Sequence, residues 1–362
     1  MERKYYNNFD GLRSISCLLI ILLHIEANTH YSFFSEKMKE VFGSFSYLTI
    51  FFMMISSFCL CASYLSKFLD GTINIESFYK KRYGKIIPFL AVISLIGILY
   101  QPTIPHFYDL IIELPILHGF LPADKTIDMN GVTWFLGVIF IFYFIFPAFT
   151  VLLKNKRRAW KSFVISLLIA FICENHYFTE QFLILPITTQ HFFIYDLHVF
   201  VLGGIFYLYA ESLQQTLGAK KIFKILCFIV CIIMTALFYL LPDKILNIRI
   251  QQYKLLILFS SYFIFAISFP SKVLDNKFVK YLSGISLELY LGHMIVFRFC
   301  EKIGLPYWFG DSIISYIFTV CIVIVLLTIG IICYKFLLNR IISFYNKKKS
   351  ATIASNEQTR DN

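Results

Sequence analysis

Arg13 and His24 are the side chains in this sequence best placed to do chemistry. They lie near the two ends of the apolar run from Leu12 to Ile25, with ten residues between them. A guanidinium is a permanent cation that holds anions, and an imidazole exchanges a proton near neutral pH. Eleven helical steps of about 100° make about three turns, so both side chains leave the same face of one helix, about 16 Å apart along its axis. Inside a bilayer such groups usually face a protein interior or a water-filled path. Equally, Arg13 can snorkel to lipid headgroups and His24 can cap a helix end. These two residues alone leave both readings open.

Other constellations repeat the pattern of polar groups inside apolar runs. Lys80, Lys81, Arg82 and Lys85 put four cations within six residues, just before an apolar stretch. Lys80 and Lys81 read as orientation signals. Arg82 and Lys85, three apart at the apolar boundary, suit an anion site equally well, because phosphate is well served by Arg forks and Lys point charges. Trp134 opens another apolar run after Gly131, as an interfacial anchor does. Ser286, Tyr290 and His293 occur at i, i+4 and i+7, on one helix face. That face serves interhelical hydrogen bonding or a substrate path, and Glu288 points off it. Asp196 and His198, ahead of Gly203 and Gly204, read as a structural pair. The nine cysteines include no CxxC spacing, so neither a metal site nor a disulfide framework is indicated.

The elements that position these residues must be membrane helices. Hydrophobic residues make up 58% of the chain and mean hydropathy is +0.70, far from a soluble domain. The 362 residues leave room for about ten spans. The apolar runs predict an all-α polytopic bundle with spans near 12–30, 41–66, 86–101, 132–153, 162–174, 192–210, 222–241, 253–270, 279–299 and 312–338. The segment 104–121, with Pro105, Pro115 and His118, followed by Pro122, reads as interfacial or re-entrant. With the N-terminus placed in the cytoplasm, 25 of the 33 lysines and arginines fall on that side and 8 opposite. This bias and an even number of spans put both termini in the cytoplasm. The net charge of +11 is then an orientation signal, not nucleic-acid affinity, since the basic residues form no continuous face. Residues 1–344 form one membrane-embedded domain. Residues 345–362 form a polar tail expected to be disordered. The first span is retained, since no small-residue cleavage site follows it.

Taken together, these motifs resemble the acyltransferase-3 family of integral membrane acyltransferases. The stretch Phe9-Asp10-Gly11-Leu12-Arg13 with His24 resembles the family's Arg-x10-His signature. Phe51-Phe52-x3-Ser56-Ser57-Phe58 is similar to its second-span motif, with Ser57 where Gly is usual. Phe78-x3-Arg82-x2-Lys85-Ile86-x-Pro88 resembles its basic loop, and Trp134-Phe135-Leu136 its WFL motif. Ser286-x3-Tyr290-Leu291-x-His293 resembles its late motif. One departure is Ile139, where many members carry an acidic residue. The resemblance implies an enzyme of the plasma membrane that moves an acyl group, acetyl by default, from cytoplasmic acyl-CoA to a hydroxyl of a cell-surface or lipid-linked glycan. Acyl-CoA is then a co-substrate and no cofactor is bound. By the same resemblance His24 is the general base or takes the acyl group itself, with Arg13 beside it in the catalytic set. Arg82 and Lys85 hold acyl-CoA, and Trp134, Ser286, Tyr290 and His293 orient the acceptor or the oxyanion. The alternative reading is a non-enzymatic transporter or flippase of a polar lipid or sugar, which intramembrane ionisable groups would serve equally well.

Overall fold

Every one of the ten apolar runs is helical. The computed structural model describes residues 6–120, 131–177, 191–245 and 248–358, and Pro122 lies outside them. Among the described residues, seven helices are long and apolar enough to cross a membrane. They include α1 (Asn8–Asn28), the segment Glu36–Leu69, α5 (Ile75–Tyr100), α7 (Trp134–Leu152), α9 (Phe193–Leu217), α10 (Lys221–Leu240) and the portion of α14 from Ile313 to Phe344. Three other runs form shorter or interrupted helices. The fifth is α8 (Lys156–Ile172) and the eighth is α11 (Gln251–Ser268). The ninth is broken at Ile285 into α12 (Lys277–Gly284) and α13 (Ser286–Lys302). Ser283 and Gly284 are weak helix formers, which favours a break there.

Side-chain caps set where several helices begin. The Asn74 side chain accepts from the Glu76 amide (2.9 Å), Asn155 from Arg158 (2.9 Å) and Asn276 from Val279 (3.0 Å), each meeting a donor the helix itself leaves unpaired. The 34-residue segment Glu36–Leu69 comprises α2 (Glu36–Ser44), a short 3₁₀ turn, α3 (Leu48–Leu60), a π-helical turn over Cys61–Leu65 and α4 (Ser66–Leu69). α14 continues beyond the apolar portion as helix to Gln358, so the polar segment expected as a tail carries helical backbone over most of its length.

Aromatic rings fill the interior. Phe9 stacks on Phe58 (4.3 Å between centroids), and Phe142 stacks on Phe200 (4.3 Å). Small residues let backbones approach where α9 crosses α3. A Cβ on Gly203 would lie 2.3 Å from the Met54 carbonyl oxygen, the kind of close approach that membrane helices use for packing. α10 is the peripheral helix, with only 11% of its apolar window buried.

Candidate active site

At the end of the bundle where α1 begins, side chains from five elements converge on a cavity of about 300 Å³. α1 contributes Arg13, α3 contributes Cys59, α5 contributes Arg82 and Lys85, α7 contributes Phe135 and Tyr143, and the α12–α13 break contributes Ser283, Ser286 and Tyr290. Arg13 is fixed from several directions. Its Nη1 donates to Ser283 Oγ (3.2 Å) and lies 3.7 Å from Asp10 Oδ1. Its Nη2 meets Cys59 Sγ at 3.4 Å. Ser283 Oγ in turn donates to Asp10 Oδ1 (2.7 Å), so carboxylate, hydroxyl and guanidinium form one network. Asp10, one helical turn before Arg13, also suits the positive end of α1.

Arg82 is held by aromatic faces. Its guanidinium lies 4.8 Å from the Tyr64 ring centre, 5.6 Å from Tyr143 and 5.8 Å from Phe78. Such faces attract a cation without neutralising it. The Arg82 Nε is buried with no hydrogen-bond partner. Lys85 lines the same cavity. Among the described residues, three cations therefore face a space whose lining includes one carboxylate, that of Asp10. A low-dielectric cleft with this imbalance concentrates anions.

The far end of the cavity is aromatic. Phe135 meets Tyr290 edge-on (5.4 Å), and Phe52 stands 6.1 Å from Phe135. Beyond Tyr290, α13 brings His293 against His24 of α1, with His24 Nδ1 and His293 Nε2 2.7 Å apart. His293 is fully buried, and its Nδ1 lies 2.6 Å from the Tyr290 carbonyl oxygen. A carbonyl oxygen only accepts, so His293 Nδ1 carries the proton. Neutral His293 then accepts at Nε2, and His24 donates from Nδ1. This assignment follows from the partners, and it leaves the lone pair of neutral His24 on Nε2. A proton taken up there would leave the bond to His293 intact.

The sequence-predicted residues divide between these two regions. Arg13, Arg82, Lys85, Ser286 and Tyr290 line the cavity. His24 and His293 pair behind Tyr290. Trp134 stacks on His191 (4.2 Å, 20° between planes), while its neighbours Phe135 and Leu136 reach the cavity. Ser286 Oγ donates to the Ser283 carbonyl (2.9 Å), and Tyr290 Oη donates to the Val132 carbonyl (2.9 Å). Ile139 lines the cavity as an apolar wall. Glu288 turns away and pairs with Lys335 (2.9 Å).

The expected pair of Asp196 and His198 is not formed. Residues two apart on a helix point about 200° apart. His198 Nδ1 bonds the Tyr195 carbonyl (2.7 Å), and both Asp196 carboxylate oxygens are buried without a hydrogen-bond partner.

Sequence reasoning missed Glu113 at the end of α6 (Ile104–Glu113) and the aromatic cage of Arg82. Glu113 is fully buried, and it accepts from Thr133 Oγ1 (2.8 Å) and Ser94 Oγ (3.3 Å). Its signal was a lone acid in the proline-flanked apolar stretch Ile111-Ile112-Glu113-Leu114-Pro115. The Tyr64 and Tyr143 rings come from distant elements and left no local pattern.

No curated protein and no solved structure matches the chain. A family model described as an acyltransferase domain matches residues 6–335, nearly the whole length, and by that match the chain belongs to the acyltransferase-3 family.

Proposed function

We propose that this multi-pass membrane protein is an O-acyltransferase of the plasma membrane. It takes an acyl group, acetyl by default, from cytoplasmic acyl-CoA and passes it to a hydroxyl of a cell-surface or lipid-linked glycan. The observation that carries this reading is the cavity itself. Three cations face one carboxylate at its mouth, and a histidine pair stands behind its aromatic floor. The phosphates of acyl-CoA match the Arg82, Lys85 and Arg13 charges, and the thioester arm reaches toward Tyr290.

The chemistry runs as base-assisted acyl transfer. His24 Nε2 removes the proton of the acceptor hydroxyl as its oxygen attacks the thioester carbonyl. The carbon–sulfur bond breaks, the CoA thiolate leaves, and it recovers the proton from His24. His293 accepts from His24 Nδ1 throughout, which fixes the ring and steadies the positive charge. Ser286 and Tyr290 line the wall beside the donor, with their hydroxyl protons given to the Ser283 and Val132 carbonyls. Ile139 supplies no carboxylate, so this reading assigns no role to an acid at that position.

Orientation agrees with this reading. The cavity opens at the end where α1 begins, and α14 passes Lys335 at that same end, within 3.5 Å of the Gly284 carbonyl. Chain ends on one side fit an even number of spans, ten with the shorter helices α8, α11 and α13 counted. The bias of Lys and Arg supports placing that side in the cytoplasm.

The test is transfer of label from radioactive acetyl-CoA to surface glycan by the purified protein in lipid nanodiscs. Wild type is expected to release CoA and label the glycan, and His24→Ala to do neither while folding normally. Movement of a glycolipid across the bilayer without CoA release would favour the transporter reading instead.

A further inference from the structure

We infer that Glu113 is a positioning residue, the fixed point of a clamp formed by residues 113–120 that sets where Trp134, Tyr290 and the histidine pair stand. This rests on the acyl-transfer reading above, in which His24 is the base. Three separate observations put the segment firmly on the first turn of α7.

The first is the carboxylate. Glu113 ends α6 and has no solvent exposure. It receives one hydroxyl from Ser94 on α5 and another from Thr133, the residue just before Trp134. A buried acid is kept where hydrogen bonds satisfy it, and these two tie α5, α6 and α7 together. The second is Ile116. It has φ +58° and is the non-glycine residue in the left-handed region among the described residues. β-branched side chains rarely adopt that conformation, and such strain persists only where surrounding structure over-determines it. The turn it makes carries its amide back to the Glu113 carbonyl (2.9 Å). The third is Gly119, where a Cβ would lie 2.2 Å from the Gly137 carbonyl oxygen. The segment therefore touches α7 backbone to backbone.

From Thr133 the constraint passes onward through short links. The Val132 carbonyl, next in the chain, receives the Tyr290 hydroxyl (2.9 Å). The Tyr290 carbonyl receives His293 Nδ1 (2.6 Å), and His293 Nε2 receives His24 Nδ1 (2.7 Å). No link touches Arg13, Arg82 or Lys85. Loosening the clamp therefore acts on turnover and leaves the phosphate-facing cations in place.

The test uses full-length protein in nanodiscs with acetyl-CoA and extracted surface glycan. Glu113→Ala and Thr133→Val are expected to lower kcat at least tenfold, with KM for acetyl-CoA within twofold of wild type. Thr133→Ser, which keeps the hydroxyl, is expected within threefold of wild type in both. A second readout needs no activity. In a Trp160→Phe, Trp308→Phe background, Trp134 is the sole tryptophan. Its emission is expected to shift red and its acrylamide quenching to rise in Thr133→Val but not in Thr133→Ser. Unchanged emission in Thr133→Val and Glu113→Ala overturns the clamp, whatever the activity shows. Unchanged kcat in both, with His24→Ala inactive, overturns its link to the histidine pair. Absence of transfer by wild type, with the emission shift present, would overturn the acyl-transfer reading and leave the clamp standing.

Discussion

Where the cavity opens, three cations face one carboxylate, and the Arg82 Nε is buried without a hydrogen-bond partner. Behind its floor, both ring nitrogens of His293, the Tyr290 hydroxyl and both Glu113 oxygens already have partners inside the protein. On the acyl-transfer reading, the remaining counter-charge at the mouth is the donor's phosphates. The inner region is organised before any ligand arrives, as a reacting centre must be if reorganisation is not to be spent at the moment of reaction. Substitutions at the mouth should therefore change binding, and substitutions behind the floor should change turnover.

The largest effect is expected at His24. His24→Ala should lower kcat by about 10²- to 10⁴-fold, the range for loss of a general base, with KM for acetyl-CoA nearly constant in steady-state assays. His293→Phe keeps a planar aromatic ring but removes the acceptor for His24 Nδ1. Losing a hydrogen bond to a group that becomes charged should cost about 10- to 100-fold in kcat. Arg82→Ala should raise KM for acetyl-CoA about tenfold and leave kcat within about threefold, with Arg82→Lys intermediate because the fork is lost and the charge kept. A drop in kcat at constant KM for Arg82→Ala would dissolve the distinction between the two regions. The smallest effect belongs to Lys80→Ala with Lys81→Ala. Both side chains are exposed, and KM should move by no more than about twofold, as is common for solvated charges.

How much of this was legible in the sequence depends on the range of the interaction. Arg13 and Asp10, three residues apart, could be read as neighbours, and they are. Ser286, Tyr290 and His293 could be placed on one helix face because spacing alone decides it. Their division could not, since Ser286 and Tyr290 line the cavity while His293 turns to α1, and that depends on how α13 packs. The break at Ile285 had a local signal, since the ninth run is short and polar and carries the weak helix formers Ser283 and Gly284. Glu113 carried a local signal, an acid among apolar residues, but its partners Ser94 and Thr133 lie 19 and 20 residues away. The Asp196 and His198 reading failed on a local rule, because two residues at i and i+2 leave a helix on opposite sides.

The π-helical turn at Cys61–Leu65 has a consequence for chain length. Such turns accommodate one more residue than α geometry does. Deleting a single residue there would let the backbone relax to a regular helix with the side chains that follow kept on their faces, whereas the same deletion in the regular turns of α3 would swing them about 100° around the axis. Phe68, now packed 5.3 Å from Phe78 and 6.0 Å from Phe146, would be carried off both rings. Phe78 lies one turn before Arg82 and forms part of its cage. A one-residue deletion in α3 would thus act as a rotation that reaches the cavity-facing cations, whereas the same deletion in the π-helical turn would be absorbed there.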